Sequence, residues 1–220
     1  SFPSSLNRVI VLDLETSGLD PVACSILQVG AVPLHPDRAD CNFERTVRHE
    51  WWHTWEAGAE KVHGETQAEA SSLQRVSAAV ALDDLLEWLE TEVLGMTLGR
   101  AILAGVNPRY DYDFLWHVAV ENDWQDRFRG LISHRTLDMH TLAVAWCATW
   151  IDRFTDDVPK GLDGLATDSI YRLLGHAPEA KPHRALEGAR REATAIRQLL
   201  SHLNFSIPEG SCLAGSDLAI

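Results

Sequence analysis

The chain has 220 residues, 45% of them hydrophobic, which is enough to bury the core of a single folded domain. Its formal net charge of −13 excludes a protein that grips polyphosphate through positive charge alone. No apolar stretch reaches the roughly 18 residues of a membrane span, and residue 1 opens no secretory signal pattern. We therefore expect a cytoplasmic protein without membrane contact.

The hydrophobic pattern predicts strands and helices that follow one another along the chain. Strands are predicted at 8–14, 25–34, 41–47, 101–105 and 136–138, and helices near 78–94, from Tyr110, from about 139, near 161–174 and at 184–203. This order is typical of an α/β fold. We expect residues 1–203 to form one domain and residues 204–220, with their interspersed Pro, Gly and Ser, to form a loosely held tail.

Two carboxylates, Asp13 and Glu15, stand at the end of the first predicted strand, just before Thr16-Ser-Gly. Side chains two apart on a strand point to the same face, so the two anions converge. Because they repel each other, the pattern favours a hard divalent cation that binds between oxygen ligands. The alternative is a strand end that has simply run out of hydrophobic residues.

Two later segments carry further polar residues. Asn107 to Leu115 follows the predicted strand 101–105, and His183 to Ala189 opens the last predicted helix. Together with Asp13 to Leu19, these segments resemble the DEDDh 3′→5′ exonucleases, a family that includes bacterial proofreading subunits, ribonuclease T and oligoribonuclease. The family's first motif, DxET(T/S)GL, matches Asp13 to Leu19, and its second, Nxx(F/Y)DxxFL, matches Asn107 to Leu115. Secondary signatures agree at Ile26 to Val32, Lys61 to Thr66 and Arg135 to Asp138.

The resemblance implies a ribonuclease-H-like fold, with a central mixed sheet flanked by helices, and a two-metal site for Mg²⁺ or Mn²⁺. It implies that Asp13 bridges both metals, that Glu15 binds one and orients the attacking water, and that Asp111 binds the other. His183 is the implied general base, because a neutral imidazole can take up a proton at neutral pH. The implied substrate is the 3′ end of single-stranded DNA or RNA.

The resemblance also implies four substrate contacts. Thr16 holds the terminal 3′-hydroxyl, Leu19 packs against the terminal base, and His63 and Asn107 line the path of the strand. Asn107 has an alternative role, which is to fix the turn before the following helix.

One position departs from the family pattern. The third motif, HxAxxDA, here has Gly188 where the family has its fourth carboxylate. Glycine offers no ligand, so we expect the water-activating metal to be bound weakly or not at all. Glu192 lies one helical turn further, about 6 Å along the axis, and is a candidate substitute if its longer side chain spans that rise. Glu187 directly precedes Gly188 in the chain, but its side chain is rotated by about 100° around the helix axis.

Three functions therefore remain open. They are a metal-dependent 3′→5′ exonuclease attenuated by Gly188, a pseudo-nuclease that binds nucleic acid or a protein without hydrolysis, and an enzyme that acts on another phosphodiester, such as a small nucleotide conjugate. The negative charge is compatible with a short 3′ end held in a metal-loaded cleft, or with a protein partner that delivers the nucleic acid. Trp51, Trp52 and Trp55 predict either a platform on which bases stack, or core and interface anchors.

Overall fold

The computed structural model describes residues 4–95, 99–151, 166–177 and 181–203. Within these residues, five strands form one sheet in the order β3-β2-β1-β4-β5. The strands are β1 (Val9–Thr16), β2 (Ile26–Pro33), β3 (Phe43–Thr46), β4 (Ala101–Gly105) and β5 (Ile132–Asp138). β2 is antiparallel to β1 and β3, whereas β1, β4 and β5 are parallel. The predicted tail, 204–220, lies outside the described residues, as does the start of the predicted helix 161–174.

Helices cover both faces of the sheet, as the sequence predicts. They are α1 (Ala57–His63), α2 (Gln67–Ala70), α3 (Ala78–Trp88), α4 (Pro108–Glu121), α5 (Gln125–Leu131), α6 (Met139–Ile151), α7 (Thr167–Leu173) and α8 (Ala185–His202), with 3₁₀ turns at Ser4–Arg8 and Pro36–Arg38. Among the described residues, no helix is both long and apolar enough to cross a membrane.

Three helices, α1, α2 and α5, were not predicted from the sequence, and the predicted helix 78–94 changes character within its span. Its α-helical part ends at Trp88, and Leu89–Leu94 continue as a π-helical segment. The strand predicted at 136–138 begins earlier, at Ile132, because exposed His134 and Arg135 interrupt its apolar pattern.

Each face of the sheet has its own hydrophobic core, and β1 contributes to both. Ile10, Leu12 and Leu14 pack with side chains of α3, α4 and α5, whereas Val9 and Val11 pack with those of α6, α7 and α8. Since successive strand residues alternate between faces, Asp13 and Glu15 continue the side of Val9 and Val11, which is the side covered by α8.

Helix α8 approaches the sheet closely where β2 carries Gly30. A Cβ atom at Gly30 would lie 2.2 Å from the carbonyl carbon of Ala185 and 2.2 Å from the amide nitrogen of Leu186. Only glycine permits this approach, which sets the first turns of α8 directly on the sheet beside β1. The fold thereby brings the third sequence motif to the first.

Candidate active site

A cleft of about 680 Å³ opens at the end of β1, where the chain turns after Thr16. Parallel strands of α/β proteins commonly present ligand sites at their carboxyl ends. The polar walls come from β1, α4, α7, α8 and the segments around α1 and before α8. The lining residues with reactive groups are Asp13, Glu15, Thr16, Glu56, His63, Asn107, Tyr110, Asp111, Thr167, Asp168, Lys181, His183 and Glu192. The structure therefore brings the predicted carboxylates and both predicted histidines into one cleft.

Asp111, in the first turn of α4, is 4% exposed. Burial raises the pKa of its carboxyl group well above the usual value, and the negative charges of Asp13 and Glu15 raise it further. The backbone N–H of Leu14 donates to this carboxylate and offsets part of the shift. Asp111 therefore lies within electrostatic reach of Asp13 and Glu15, and all three side chains line the cleft.

Asn107 holds the turn that delivers Asp111. Its backbone is left-handed, with φ 50° and ψ 53°, a conformation that asparagine tolerates better than most residues, and Pro108 follows at the first position of α4. The Asn107 N–H donates to Asp138 Oδ1 at 3.1 Å. These contacts agree with the turn-fixing alternative, although Asn107 also lines the cleft.

Thr16 and Tyr110 fix the turn that follows β1. Thr16 Oγ1 lies 2.7 Å from Tyr110 Oη, and the carbonyl oxygen of Gly18 lies 2.8 Å and 3.0 Å from the two hydroxyls. Burial is the main cause that raises the pKa of Tyr110 to about 12, so its hydroxyl stays protonated. Leu19, 75% exposed, stands at the rim of the cleft.

The two histidines of the cleft come from adjacent segments. The His183 N–H donates to the carbonyl oxygen of Val62 at 3.1 Å, which ties the entrance of α8 to α1. His63 is 1% exposed, and its Nδ1 accepts the Glu65 N–H at 3.1 Å, so the ring proton is on Nε2. Burial lowers the pKa of His63, and its Nε2 has no hydrogen-bond partner among the described residues.

Sequence reasoning missed the buried network that holds these segments together. Glu65 accepts from Gln28 Nε2 at 2.7 Å and from Arg75 at 2.8 Å. Arg184, the neighbour of His183, donates to the His63 carbonyl at 3.0 Å and also reaches Glu65 at 3.4 Å. One signal was available. The segment Lys61 to Thr66 resembles the family's signature vHGIT, and Glu65 stands where that signature has an isoleucine.

Gly188 lies buried in α8, and Glu192 projects from the next turn of the same helix. Glu192 is 7% exposed and lines the cleft, and its Oε2 accepts the Val106 N–H at 3.0 Å. Glu187 is exposed and is not a cleft-lining residue. Of the two acids proposed from the sequence as substitutes, Glu192 alone reaches the cleft.

The described polar side chains of the cleft fit a divalent cation in their chemistry but do not form a complete ligand set. Among the described residues, no group of three or more His, Cys, Asp or Glu side chains is arranged to hold a metal ion, so a ready-made cage is not found. The chemistry nevertheless fits, because the cleft combines Asp13, Glu15, Asp111 and Glu192, all oxygen donors. Burial and the charges of Asp13 and Glu15 both raise the pKa of Asp111, and a bound cation would offset the repulsion between these groups.

A family model described as exonuclease, of the ribonuclease T type, matches residues 10–143. The chain belongs to this exonuclease family. The matched part contains the first two sequence motifs and ends before His183 and Gly188, so the third motif rests on the geometry of α8. A comparison with curated proteins finds no significant match.

Solved structures share the fold. Exonuclease I from Methylocaldum szegediense matches with a TM-score of 0.65 at 18% identity, over 89% of this chain and 40% of that one. Cell-death related nuclease 4 matches with a TM-score of 0.63 at 15% identity, over 88% of this chain and 63% of that one. The nuclease domain of 3′hExo, described as a DEDDh family member bound to rAMP, matches with a TM-score of 0.60 at 16% identity, over 91% of this chain and 94% of that one.

These likenesses confirm the ribonuclease-H-like exonuclease fold that the sequence predicts. The chain spans 40% to 63% of the exonuclease I and cell-death nuclease chains that it matches, so it corresponds to a part of those proteins.

Proposed function

We propose that the chain is a divalent-metal-dependent 3′→5′ exonuclease that hydrolyses phosphodiester bonds at the 3′ ends of single-stranded DNA or RNA. The observation that carries this proposal is the convergence of Asp13, Glu15 and Asp111 in the cleft that His183 also lines. Membership of the exonuclease family supports the reaction class. Support for the substrate comes from relatives: the 3′hExo domain was solved with rAMP, and exonuclease I of E. coli with an oligonucleotide.

The roles of the side chains follow from their places in the cleft. Mg²⁺ or Mn²⁺ held by the carboxylates would supply an activated water and charge stabilisation for the leaving oxygen. His183 accepts the proton of the attacking water, since a neutral imidazole nitrogen is a base of the right strength at neutral pH. His63 presents its Nε2–H to a substrate oxygen, which would give that buried donor the partner it otherwise lacks among the described residues.

The walls of the cleft favour a short 3′ end over a long tract. Among the residues that the structure describes, six carboxylate side chains line the cleft, and Lys181 is the single lysine or arginine that does so. Phosphate contacts are therefore few, and recognition relies on the terminal nucleotide. Thr16 positions the 3′-hydroxyl, and the exposed Leu19 packs against the terminal base.

The direction of cleavage tests the proposal. A single-stranded oligonucleotide labelled at its 5′ end should give a ladder of progressively shorter labelled products in Mn²⁺, as DNA or as RNA. The same strand with a 3′-phosphate should be cut more slowly, because the terminal hydroxyl contact at Thr16 is lost. Release of the labelled 5′ nucleotide as the first product would contradict the proposal.

A second function, binding of nucleic acid or a protein without hydrolysis, is favoured by Gly188, which removes the family's fourth carboxylate. In that case the unaltered chain binds an oligonucleotide in Mg²⁺ but leaves it intact. Gly188→Asp should then create hydrolysis where none existed. Turnover by the unaltered chain would dismiss this alternative.

A further inference from the structure

We infer that Glu192 has taken over the ligand role of the side chain missing at Gly188, so that the fourth acidic ligand of this cleft has moved by one helical turn. The inference rests on the proposed function, because it concerns the metal site of that reaction. It identifies a residue that the family pattern does not mark.

The carboxylate of Glu192 reaches the cleft because of its helical position and its length. Residues four apart on a helix share a face, and helical side chains lean toward the N-terminus, in this case toward Gly188. The structure shows the outcome: the side chain lines the same cleft as Asp13, Glu15 and Asp111 while its backbone remains a turn further along α8.

The end of β4 leaves space for this carboxylate and donates a hydrogen bond to it. Gly105 has φ +154°, and a Cβ atom there would lie 2.6 Å from Glu192 Oε2 and 3.1 Å from the carbonyl oxygen of Leu12. A larger residue would displace the carboxylate. The next residue, Val106, donates its N–H to Oε2 at 3.0 Å and so fixes the orientation of the group.

The hydrogen bond from Val106 needs an acceptor at this position but not a negative charge. Metal-binding carboxylates are commonly held by such hydrogen bonds. A glutamine could accept the same N–H through its side-chain oxygen, so a purely structural role does not require the negative charge.

Mn²⁺ titration calorimetry on the metal-free chain provides the test, because it reads ligation without any need for turnover. Glu192→Gln keeps the size of the side chain and an acceptor for the Val106 N–H. Glu192→Asp keeps the negative charge, but its side chain is one methylene shorter and holds the charge further from the cleft. Both variants should lower Mn²⁺ affinity by about tenfold or more, with little change in the unfolding temperature without metal. Glu187→Gln, an exposed site on the same helix, is the matched control and should leave both quantities unchanged.

A swap of the two positions completes the design. Adding Gly188→Asp to Glu192→Gln should restore Mn²⁺ affinity, because the carboxylate returns to the family's position. Unchanged affinity in Glu192→Gln, or an equal loss in Glu187→Gln, would overturn the inference. If Glu192→Gln weakens Mn²⁺ binding but the unaltered chain cleaves neither DNA nor RNA, the proposed function fails while the ligand assignment stands.

Discussion

Asp111 is buried against like charges, and this gives the metal-free protein a specific dependence on pH. Because its folded pKa is raised, the carboxyl group contributes stability below its ordinary value of 3.8 and loses that contribution as pH rises through the raised pKa. Asp111→Asn removes the charge, so it should increase the free energy of unfolding at neutral pH in EDTA and flatten its fall with pH. Urea unfolding between pH 4 and 8 measures both effects.

The control for this experiment lies two residues along α4. Asp113 pairs with Arg109 at 2.8 Å on the surface. Because exposed ion pairs contribute little, Asp113→Asn should lower the free energy of unfolding only slightly. A loss of stability in Asp111→Asn at neutral pH would contradict the burial and repulsion described for that carboxylate.

Sequence reasoning identified most reactive residues of the cleft because they lie in contiguous segments. Asp13 and Glu15 are on one strand, and Asp111 follows a fixed distance after Asn107. It could not decide on Glu192, because the reach of that side chain depends on the space left at Gly105, far away in the chain. The network around Glu65 was missed for the same reason, since it joins segments more than 100 residues apart.

At the scale of elements, the close contact between β2 and α8 positions the third motif against the first. Gly30→Ala would drive a Cβ into the backbone of Ala185 and Leu186, so we expect a loss of about 1–3 kcal/mol in stability. We also expect weaker Mn²⁺ binding, because the displaced helix carries Glu192. Chemical denaturation and metal titration of the variant measure the two effects.

Gly130 supplies the matched control, since it lies within α5 and a Cβ there would meet no atom within 4 Å. Gly130→Ala should be neutral or stabilise by up to about 1 kcal/mol through helix propensity. Equal stability of Gly30→Ala and the unaltered chain would show that α8 can shift without cost, and that its contact with β2 does not fix the third motif.

The loop after β3 carries the exposed tryptophans. Trp51 is 84% and Trp52 60% exposed, which excludes the core role that the sequence left open for them, whereas the Trp55 indole donates to Glu60 at 3.0 Å. The loop is joined to the turn after β1, because the Thr54 N–H donates to the Ala23 carbonyl at 2.7 Å and the Glu56 N–H to that of Ser17 at 2.8 Å. Two of the predicted roles remain for Trp51 and Trp52: a platform on which bases stack, and an anchor for a protein partner.

We expect Trp51→Ala and Trp52→Ala to weaken the binding of a single-stranded oligonucleotide by about fivefold or more, as loss of a base stack costs ~1–3 kcal/mol. Fluorescence anisotropy with a labelled strand measures this. Leu73→Ala, at a side chain that is equally exposed, is the control. Unchanged affinity in both tryptophan variants would leave the protein-partner interpretation.

The elements that were predicted well have strong apolar patterns, such as β1, β2, β4 and α8. Those that were missed are held by local chemistry instead: α1 ends at the left-handed Gly64, and four-residue α2 is fixed by the capping box of Thr66 and Glu69. The change to π-helical geometry at Leu89, where Leu89, Val93 and Leu94 are buried, was not predicted from the hydrophobic spacing.

At the scale of the whole molecule, the net charge of −13 predicts an unusual response to salt. Proteins that make 6–10 phosphate contacts lose about 10³–10⁵ in affinity between 50 and 200 mM salt. Lys181 is the single lysine or arginine that lines the cleft within residues 4–95, 99–151, 166–177 and 181–203, so we expect this chain to lose less than about tenfold. Anisotropy measured at several KCl concentrations tests this, and a steep decline would reveal a basic surface elsewhere that binds the strand.

The most direct test of the metal-dependent exonuclease is the shortening of a 5′-labelled single strand, measured in Mn²⁺ and in excess EDTA. We predict progressive loss from the 3′ end in Mn²⁺ and an intact strand in EDTA. Asp13→Asn should abolish cleavage in Mn²⁺ without lowering the unfolding temperature, because it removes one of the crowded negative charges. Cleavage that persists in EDTA or in Asp13→Asn, or an intact strand in every condition, would contradict the proposed function.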